Sequence, residues 1–296
     1  MEIRPDYYDD FKCIAGECKH NCCIGWEIDI DDATLEKYKC HKGELQKKLQ
    51  SSIALKPTAH FILGENERCP FLNNDNLCEL ISKCGEDMLC QICRDHPRFY
   101  NDVYGITEKG IGLSCEAAAK LILEKDSPFR LIYDGDSPCG DFFEFRNKIF
   151  SILQDKEKSI NERIAGLLAF ADVTLPLKEI DWIDVYKKLE RLDDAWDKYL
   201  ESADGISFDI PEQLALPCEQ LLCYFIYRHL SGALEDFLFA ERIQFAILSC
   251  LVIVSLNKTK TLEEMLEVSR LYSSEIEYSD QNIDVLLDIL NEYNEK

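Results

Sequence analysis

The chain has 296 residues, 46% of them hydrophobic and 30% charged, and a formal net charge of −23. That length can bury a core without help from metal or bridges, and the composition excludes the low-complexity and disordered classes. The acid excess holds along the chain, with 17 basic against 26 acidic side chains in residues 1–141 and 16 against 30 in residues 142–296. A phosphate backbone is therefore repelled and no nucleic-acid partner is expected, whereas a cation such as a lysine side chain is attracted.

Met1–Asp6 is polar, unlike the apolar core of a signal peptide. The 15 cysteines are an odd number, and the chain is larger than small secreted scaffolds stapled by bridges. These features predict a cytoplasmic location, where thiols stay reduced and free to bind metal.

Trp26–Ile30 alternates apolar and acidic residues and predicts a short strand. Asp31 or Asp32 then caps a helix predicted over about Ala33–Leu49. Phe99–Tyr104 and Ile106–Leu113 flank Gly105 and predict a hairpin, and a helix begins at Ala117. Residues 126–141, with Pro128, Pro138 and Gly140, read as a connector with one short apolar run, Phe129–Tyr133. Beyond it the pattern is helical. Phe142, Phe143, Phe145, Ile149, Phe150 and Leu153 share one helix face. Further helices are predicted over about 160–172, 180–201, 211–231, 234–257, 261–273 and 280–293. Phe245–Leu256 is too short to span a bilayer and follows Glu241 and Arg242, so it reads as a core helix and no membrane partner is expected. The expected fold class is mainly α: a Cys-rich region over 1–125 with short strands and helices, a connector over 126–141, and a helical bundle over 142–296.

Twelve of the 15 cysteines lie within the first 139 residues. Cys13-x4-Cys18-x3-Cys22-Cys23 comes first, then Cys69-Pro70-Phe71-Leu72, Cys78, and Cys90-x2-Cys93. Two residues between thiolates let both reach one ion or cluster. The candidate metal ligands are Cys13, Cys18, Cys22, Cys23, Cys69, Cys78, Cys90 and Cys93. Four thiolates suit tetrahedral zinc or an iron–sulfur cluster, and eight suit two sites or one site plus free thiols. Adjacent Cys22 and Cys23 point apart on most backbones, against both serving one zinc ion. Cys40, Cys84 and Cys139 lack partners at ligand spacing and read as structural. Cys218, Cys223 and Cys250 read as buried small apolar residues.

The order of these cysteines, with Gly25-Trp26, Arg94, Pro97-Arg98 and Leu113-Ser114-Cys115, resembles the flagellin lysine-N-methylase family, part of a broader CxxCxxCC group described as zinc- or iron-chelating. Arg4-Pro5-Asp6-Tyr7-Tyr8 and Phe11-Lys12-Cys13 are similar as well, so the resemblance spans about residues 4–124. Relatives often read Ser-Cys-Pro-Glu where this chain has Ser114-Cys115-Glu116. The resemblance implies an S-adenosylmethionine-dependent enzyme that methylates lysine amines of flagellin and carries a 4Fe-4S cluster on the N-terminal cysteines. The alternative is a zinc- or iron-chelating protein without catalysis.

No catalytic or cofactor-binding residue is assigned. Tyr7, Tyr8, Trp26, Asp29 and Tyr100 supply acid and aromatic character near the cysteines, but each has an ordinary packing role open to it. Gly110-Ile111-Gly112 is a lone Gly-x-Gly in an expected hairpin, so a dinucleotide-type site is not expected there. The Cys-x3-Cys-x2-Cys of radical enzymes is absent, because position 25 is Gly25.

Overall fold

The computed structural model describes all 296 residues. In chain order the elements are β1 (Glu2–Pro5), α1 (Asp32–Cys40), α2 (Gln46–Ser51), β2 (Ile53–Ala54), β3 (His60–Phe61), α3 (Glu79–Cys84), α4 (Gln91–Asp95), β4 (Arg98–Val103) and β5 (Ile106–Ile111). Then come α5 (Glu116–Leu123), β6 (Leu131–Tyr133), α6 (Asp141–Leu153), α7 (Ile160–Ala171), α8 (Trp182–Lys188), α9 (Asp194–Glu201), α10 (Ala215–His229), α11 (Ala233–Asp236), α12 (Phe239–Leu256), α13 (Leu262–Tyr272), a π-turn (Ser273–Glu277) and α14 (Asp280–Asn294). Helices dominate, so the fold is mainly α.

Packing divides the chain elsewhere than composition does. One unit comprises Met1–Phe11 and Tyr100–Lys296, and the other Lys12–Phe99. The sequence placed a connector over 126–141, but residues there contribute β6 to the sheet of the first, helical unit. The reason is β1. It pairs parallel to β5 (Ile3 opposite Glu108) and antiparallel to β6 (Ile3 opposite Tyr133), giving the sheet order β4-β5-β1-β6. β4 and β5 form the expected hairpin. Its two-residue loop has Tyr104 at φ +54° and Gly105 at φ +78°, the pair of left-handed residues that matches strand twist.

Helices cover this sheet, and a buried ion pair joins the two layers. Glu108 on β5 receives both terminal nitrogens of Arg146 on α6, one at 2.8 Å, and both residues are almost wholly buried. The guanidinium carbon lies 5.0 Å from the Phe142 ring centroid and 5.4 Å from that of Tyr227 on α10. The Tyr227 hydroxyl donates to the carbonyls of Ile3 and Lys109, each at 3.0 Å, and so grips both β1 and β5.

The helix ends follow local capping chemistry. Ser159 and Glu162 form a capping box at α7, and Thr261 and Ser279 cap α13 and α14. Three predicted helices are interrupted. The 33–49 segment breaks between α1 and α2, where His41 turns extended and Gln46 N bonds to Gly43 O at 3.1 Å. The 180–201 segment separates into α8 and α9, because the Glu275 carboxylate accepts from Leu192 N and Asp193 N, each at 2.8 Å, and holds that backbone out of the helix. The 234–257 segment divides at Phe237, whose φ is +63°. The resulting α12 has 18 residues, longer than the run read from the sequence, and is long and apolar enough to cross a membrane by length and composition. Within the helical unit 78% of it is buried.

The second unit has a smaller core of Ile28, Tyr38, Leu49, Phe61, Phe71 and Leu80 among others. Trp26–Ile30 alternates as expected, with Ile28 and Ile30 buried and Asp29 exposed, but makes only a bridge, Asp29 opposite His60.

Replacing Arg146 with Leu leaves the Glu108 carboxyl without its partner in the core. Its expected cost is about 3–5 kcal/mol. Urea unfolding followed through Trp182 and Trp196, both in the helical unit, measures it. The double variant Glu108→Leu/Arg146→Leu should recover part of the loss.

Candidate metal centre

None of the 15 cysteines is in a disulfide. Three short backbone devices gather those of the Lys12–Phe99 unit. First, residues 23–25 pair with 67–69. Cys69 N donates to Cys23 O at 2.8 Å, Gly25 N donates to Glu67 O at 3.1 Å, and Ile24 bridges Arg68. Gly25 has φ +79°, a conformation that favours glycine. Second, a tight loop returns Cys78 to Leu72. The Asn73 side chain accepts from Asp75 N and Leu77 N at 2.9 Å each, and Glu79 N donates to Phe71 O at 2.7 Å. Third, Cys90 immediately precedes α4, and its sulfur lies 3.4 Å from that of Cys93. Asp31 links this corner to α1, accepting from Thr34 N at 2.9 Å and from Gln91 N at 2.8 Å.

These devices link six of the eight candidate sulfurs, Cys22, Cys23, Cys69, Cys78, Cys90 and Cys93, in one electrostatic network through Cys69 and Cys78. Cys69 and Cys90 are buried, and Cys23, Cys78 and Cys93 pack against the same apolar cluster. Backbone N–H groups point at three of the sulfurs: Phe71 at Cys69, Leu80 and Ile81 at Cys78, and Cys93 at Cys90. Such bonds favour the thiolate, the form that ligates. Burial opposes them. It pushes the Cys69 thiol up to about 11 and raises Cys78 as well.

Cys22 and Cys23 differ from the sequence expectation. Their sulfurs meet rather than diverge, and the hydrogen bond from Cys23 lowers the exposed Cys22 thiol to about 7. Cys13 and Cys18 flank the turn Ala15–Glu17, and Cys13 Sγ accepts from Ala15 N at 3.3 Å. Cys84 lies 4.0 Å from His41 Nε2, while Cys40 and Cys139 are exposed. Cys218, Cys223 and Cys250 are fully buried in the helical unit, as expected.

As free thiols the sulfurs are neighbours without convergence: no three His, Cys, Asp or Glu side chains of the chain form a ready ion site. The donor set nevertheless fits a soft metal by its chemistry. It offers several thiols against one apolar cluster, with amide donors aimed at three sulfurs. Tetrahedral zinc places thiolate sulfurs about 3.8 Å apart, from Zn–S bonds of about 2.3 Å, close to the Cys90–Cys93 spacing of 3.4 Å.

The other residues singled out earlier scatter. Tyr7 is buried in the helical unit, Tyr100 is exposed on β4, Trp26 is half-buried, and Asp29 is exposed. In the helical unit a cleft of about 290 Å³ is lined by Asp6, Asp10 and Glu124 with Lys120 and Lys125. Lys125 is already held by Asp6 at 3.1 Å and by the carbonyls of Ser127 and Pro128. β5 does lead through a loop into α5, so a strand–loop–helix follows Gly110 after all. Its loop is anchored by Leu113 N donating to the Tyr224 hydroxyl at 3.4 Å, above a buried knot that the sequence did not disclose. There Glu277, on the π-turn, accepts from Tyr224 at 2.9 Å and pairs with His229 at 2.7 Å. Arg228 Nη1 donates to the Tyr224 hydroxyl at 2.6 Å. Burial pulls the His229 pKa down, against the pull of this carboxylate.

Three comparisons bear on identity. No family model matches the chain, and no solved structure matches it. The likeness is to lysine-N-methylases and to a flagellar protein. The chain is 26% identical over 131 residues to the flagellar biosynthetic protein FliU of Salmonella muenchen, covering 42% of this chain and 78% of that one. It is 26% identical over the same length to lysine-N-methylases of Salmonella choleraesuis and Salmonella typhimurium, covering 33% of each. The match thus spans about a third of the length of those methylases.

Cysteine alkylation tests the thiol order. At pH 7 iodoacetamide should modify Cys22 well before Cys69, since about half of a thiol of pKa 7 is thiolate there and a thiol near 11 is almost wholly protonated. Peptide mapping by mass spectrometry reads the order. Equal rates at both positions would contradict it.

Proposed function

We propose that the chain is an S-adenosylmethionine-dependent protein-lysine N-methyltransferase acting on a flagellar protein, flagellin, and that its Lys12–Phe99 unit carries a thiolate-bound 4Fe-4S cluster. The similarity to proteins named lysine-N-methylase and to a flagellar biosynthetic protein carries the reading. The charge of −23 supports it, because it draws in a cationic lysine.

S-adenosylmethionine, when bound, supplies an electrophilic methyl group. The protein's tasks are to attract the lysine, hold its amine and take its proton, since an amine with a reference pKa of about 10.4 is almost wholly protonated at pH 7. That proton transfer does not require the sulfurs. Cys69, Cys78, Cys90 and Cys93, with Cys22 and Cys23 beside them, are the residues of this chain that would hold the cluster. Ligation requires deprotonated thiols, so thiols raised by burial release protons when the centre forms and binding strengthens with rising pH.

A metal-chelating protein without catalysis is the second reading, and the gathered thiols by themselves favour it. Two measurements separate the readings. Anaerobically prepared protein should show broad iron–sulfur absorption in the visible range, and a colourless protein containing zinc would replace the cluster by zinc. Labelled methyl transfer to flagellin lysines should be detectable. Its absence from cluster-loaded protein would sink the enzyme reading. Cys90→Ser should lower bound metal to below half of the wild-type content, and Cys40→Ser should leave it unchanged.

A further inference from the structure

Four phenylalanines mark one region of the helical unit. Phe145 on α6 stacks on Phe170 at the end of α7, with centroids 5.3 Å apart, and meets the edge of Phe239 at the start of α12 at 6.2 Å. Phe170 remains 38% exposed. Phe237, two residues before Phe239, is 80% exposed. Rings from three helices therefore meet at the surface, and a fourth stands in solvent beside them in the chain.

Phe237 is the informative member. It ends α11 with φ +63° and ψ +14°, a cap conformation usually given to glycine or asparagine and disfavoured for a bulky side chain. Burial returns nothing, since the ring is exposed. The loop is nevertheless built firmly. Phe237 N donates to Ala233 O at 3.0 Å, and Leu238 N donates to Asp236 Oδ1 at 2.9 Å. Arg242 binds Asp236 through Nε at 2.9 Å and His229 O at 2.9 Å. A strained, rigidly held aromatic residue in solvent suits contact with a partner better than it suits the fold.

The surrounding charge identifies the partner's chemistry. Glu144, Asp172 and Glu235, each next to or within two residues of one of these rings, are exposed. Arg242 is tied to Asp236, which leaves Lys148 as the exposed cation of α6 near Phe145. The stretch 142–296 that holds all four rings has 16 basic and 30 acidic side chains. An exposed aromatic ring on an acid-rich surface binds cations and the apolar stems that carry them.

We infer that Phe145, Phe170, Phe237 and Phe239 form a docking face for a basic, lysine-bearing segment of a partner protein. This deepens the lysine-methylation reading and rests on it for the identity of the partner, not for the contact itself.

The test uses the full chain and a capped peptide of alternating lysine and alanine, with a glutamate–alanine peptide as control. Calorimetry should show binding of the lysine peptide alone, weakening as salt rises. Phe237→Gly should weaken binding about 2–5-fold, as expected for one exposed cation–π contact, and should leave the thermal midpoint unchanged or raised, since glycine relieves the left-handed backbone. Phe170→Leu provides a second variant and should also weaken binding. No binding by the wild-type chain, or equal binding by wild type and both variants, overturns the docking face. So does a self-association that Phe237→Gly abolishes, because the occupant is then a second copy. Methyl transfer is read separately. Binding that depends on Phe237 without any transfer removes the enzyme reading and leaves the face. Transfer to flagellin with Phe237-independent peptide binding removes the face alone.

Discussion

The placement of β1 between β5 and β6 is the constraint on which the organisation of this chain depends. Four residues at the start of the chain hydrogen-bond to a strand more than a hundred residues later. That pairing carries Met1–Phe11 into the unit built from Tyr100 onward and makes Lys12–Phe99 a unit of its own. A strand this short has little pairing energy, and closing so long a loop is entropically costly. The side chains behind it supply the rest. Tyr227 bonds the carbonyls of two neighbouring strands, and Glu108 and Arg146 tie β5 to α6. Ionised groups buried this deeply are tolerable only as a pair, so the layers are held in one register.

The Lys12–Phe99 unit relies on different physics. Its helices are short, from five to nine residues, and such helices are marginal alone in water. Side-chain and backbone bonds at Asn73, Asp31 and Gly25 shape it instead. The same bonds that fix the loops bring the sulfurs together. Metal binding there would release protons from thiols that burial holds in the neutral form, so folding free energy and metal affinity are linked in this unit.

Much of the helical unit was legible because amphipathic periodicity and Ser or Thr caps are local signals. The segments near α6, α7, α10, α13 and α14 followed from them. The breaks were not legible, because the groups that make them come from afar: Glu275 lies more than eighty residues from the backbone it holds. β1 was missed for the same reason, since Glu2–Pro5 is short, contains a proline and finds its partners across the chain. The hairpin at Tyr104-Gly105 was legible from its glycine. In the candidate site the spacing Cys90-x2-Cys93 pointed to a sulfur pair that the fold forms. The contact between Cys22 and Cys23 was not foreseen, because a preference of most backbones is no rule for one held by Asn21, whose side chain accepts from Cys23 N at 2.9 Å.

A cluster of thiols and a cation-attracting surface need opposite environments, and the chain has one of each. The apolar cluster around Cys69 and Cys90 shields the thiols from water, and amide donors offset part of the resulting cost of ionising them. A cation is drawn instead by carboxylates that stay hydrated, which the acid-rich composition of the chain supplies. The carboxylates near the exposed phenylalanines and the sulfurs of the Lys12–Phe99 unit lie in different packing units. Each environment is thus built within one unit, the apolar cluster around the sulfurs in one and the carboxylates beside the exposed rings in the other.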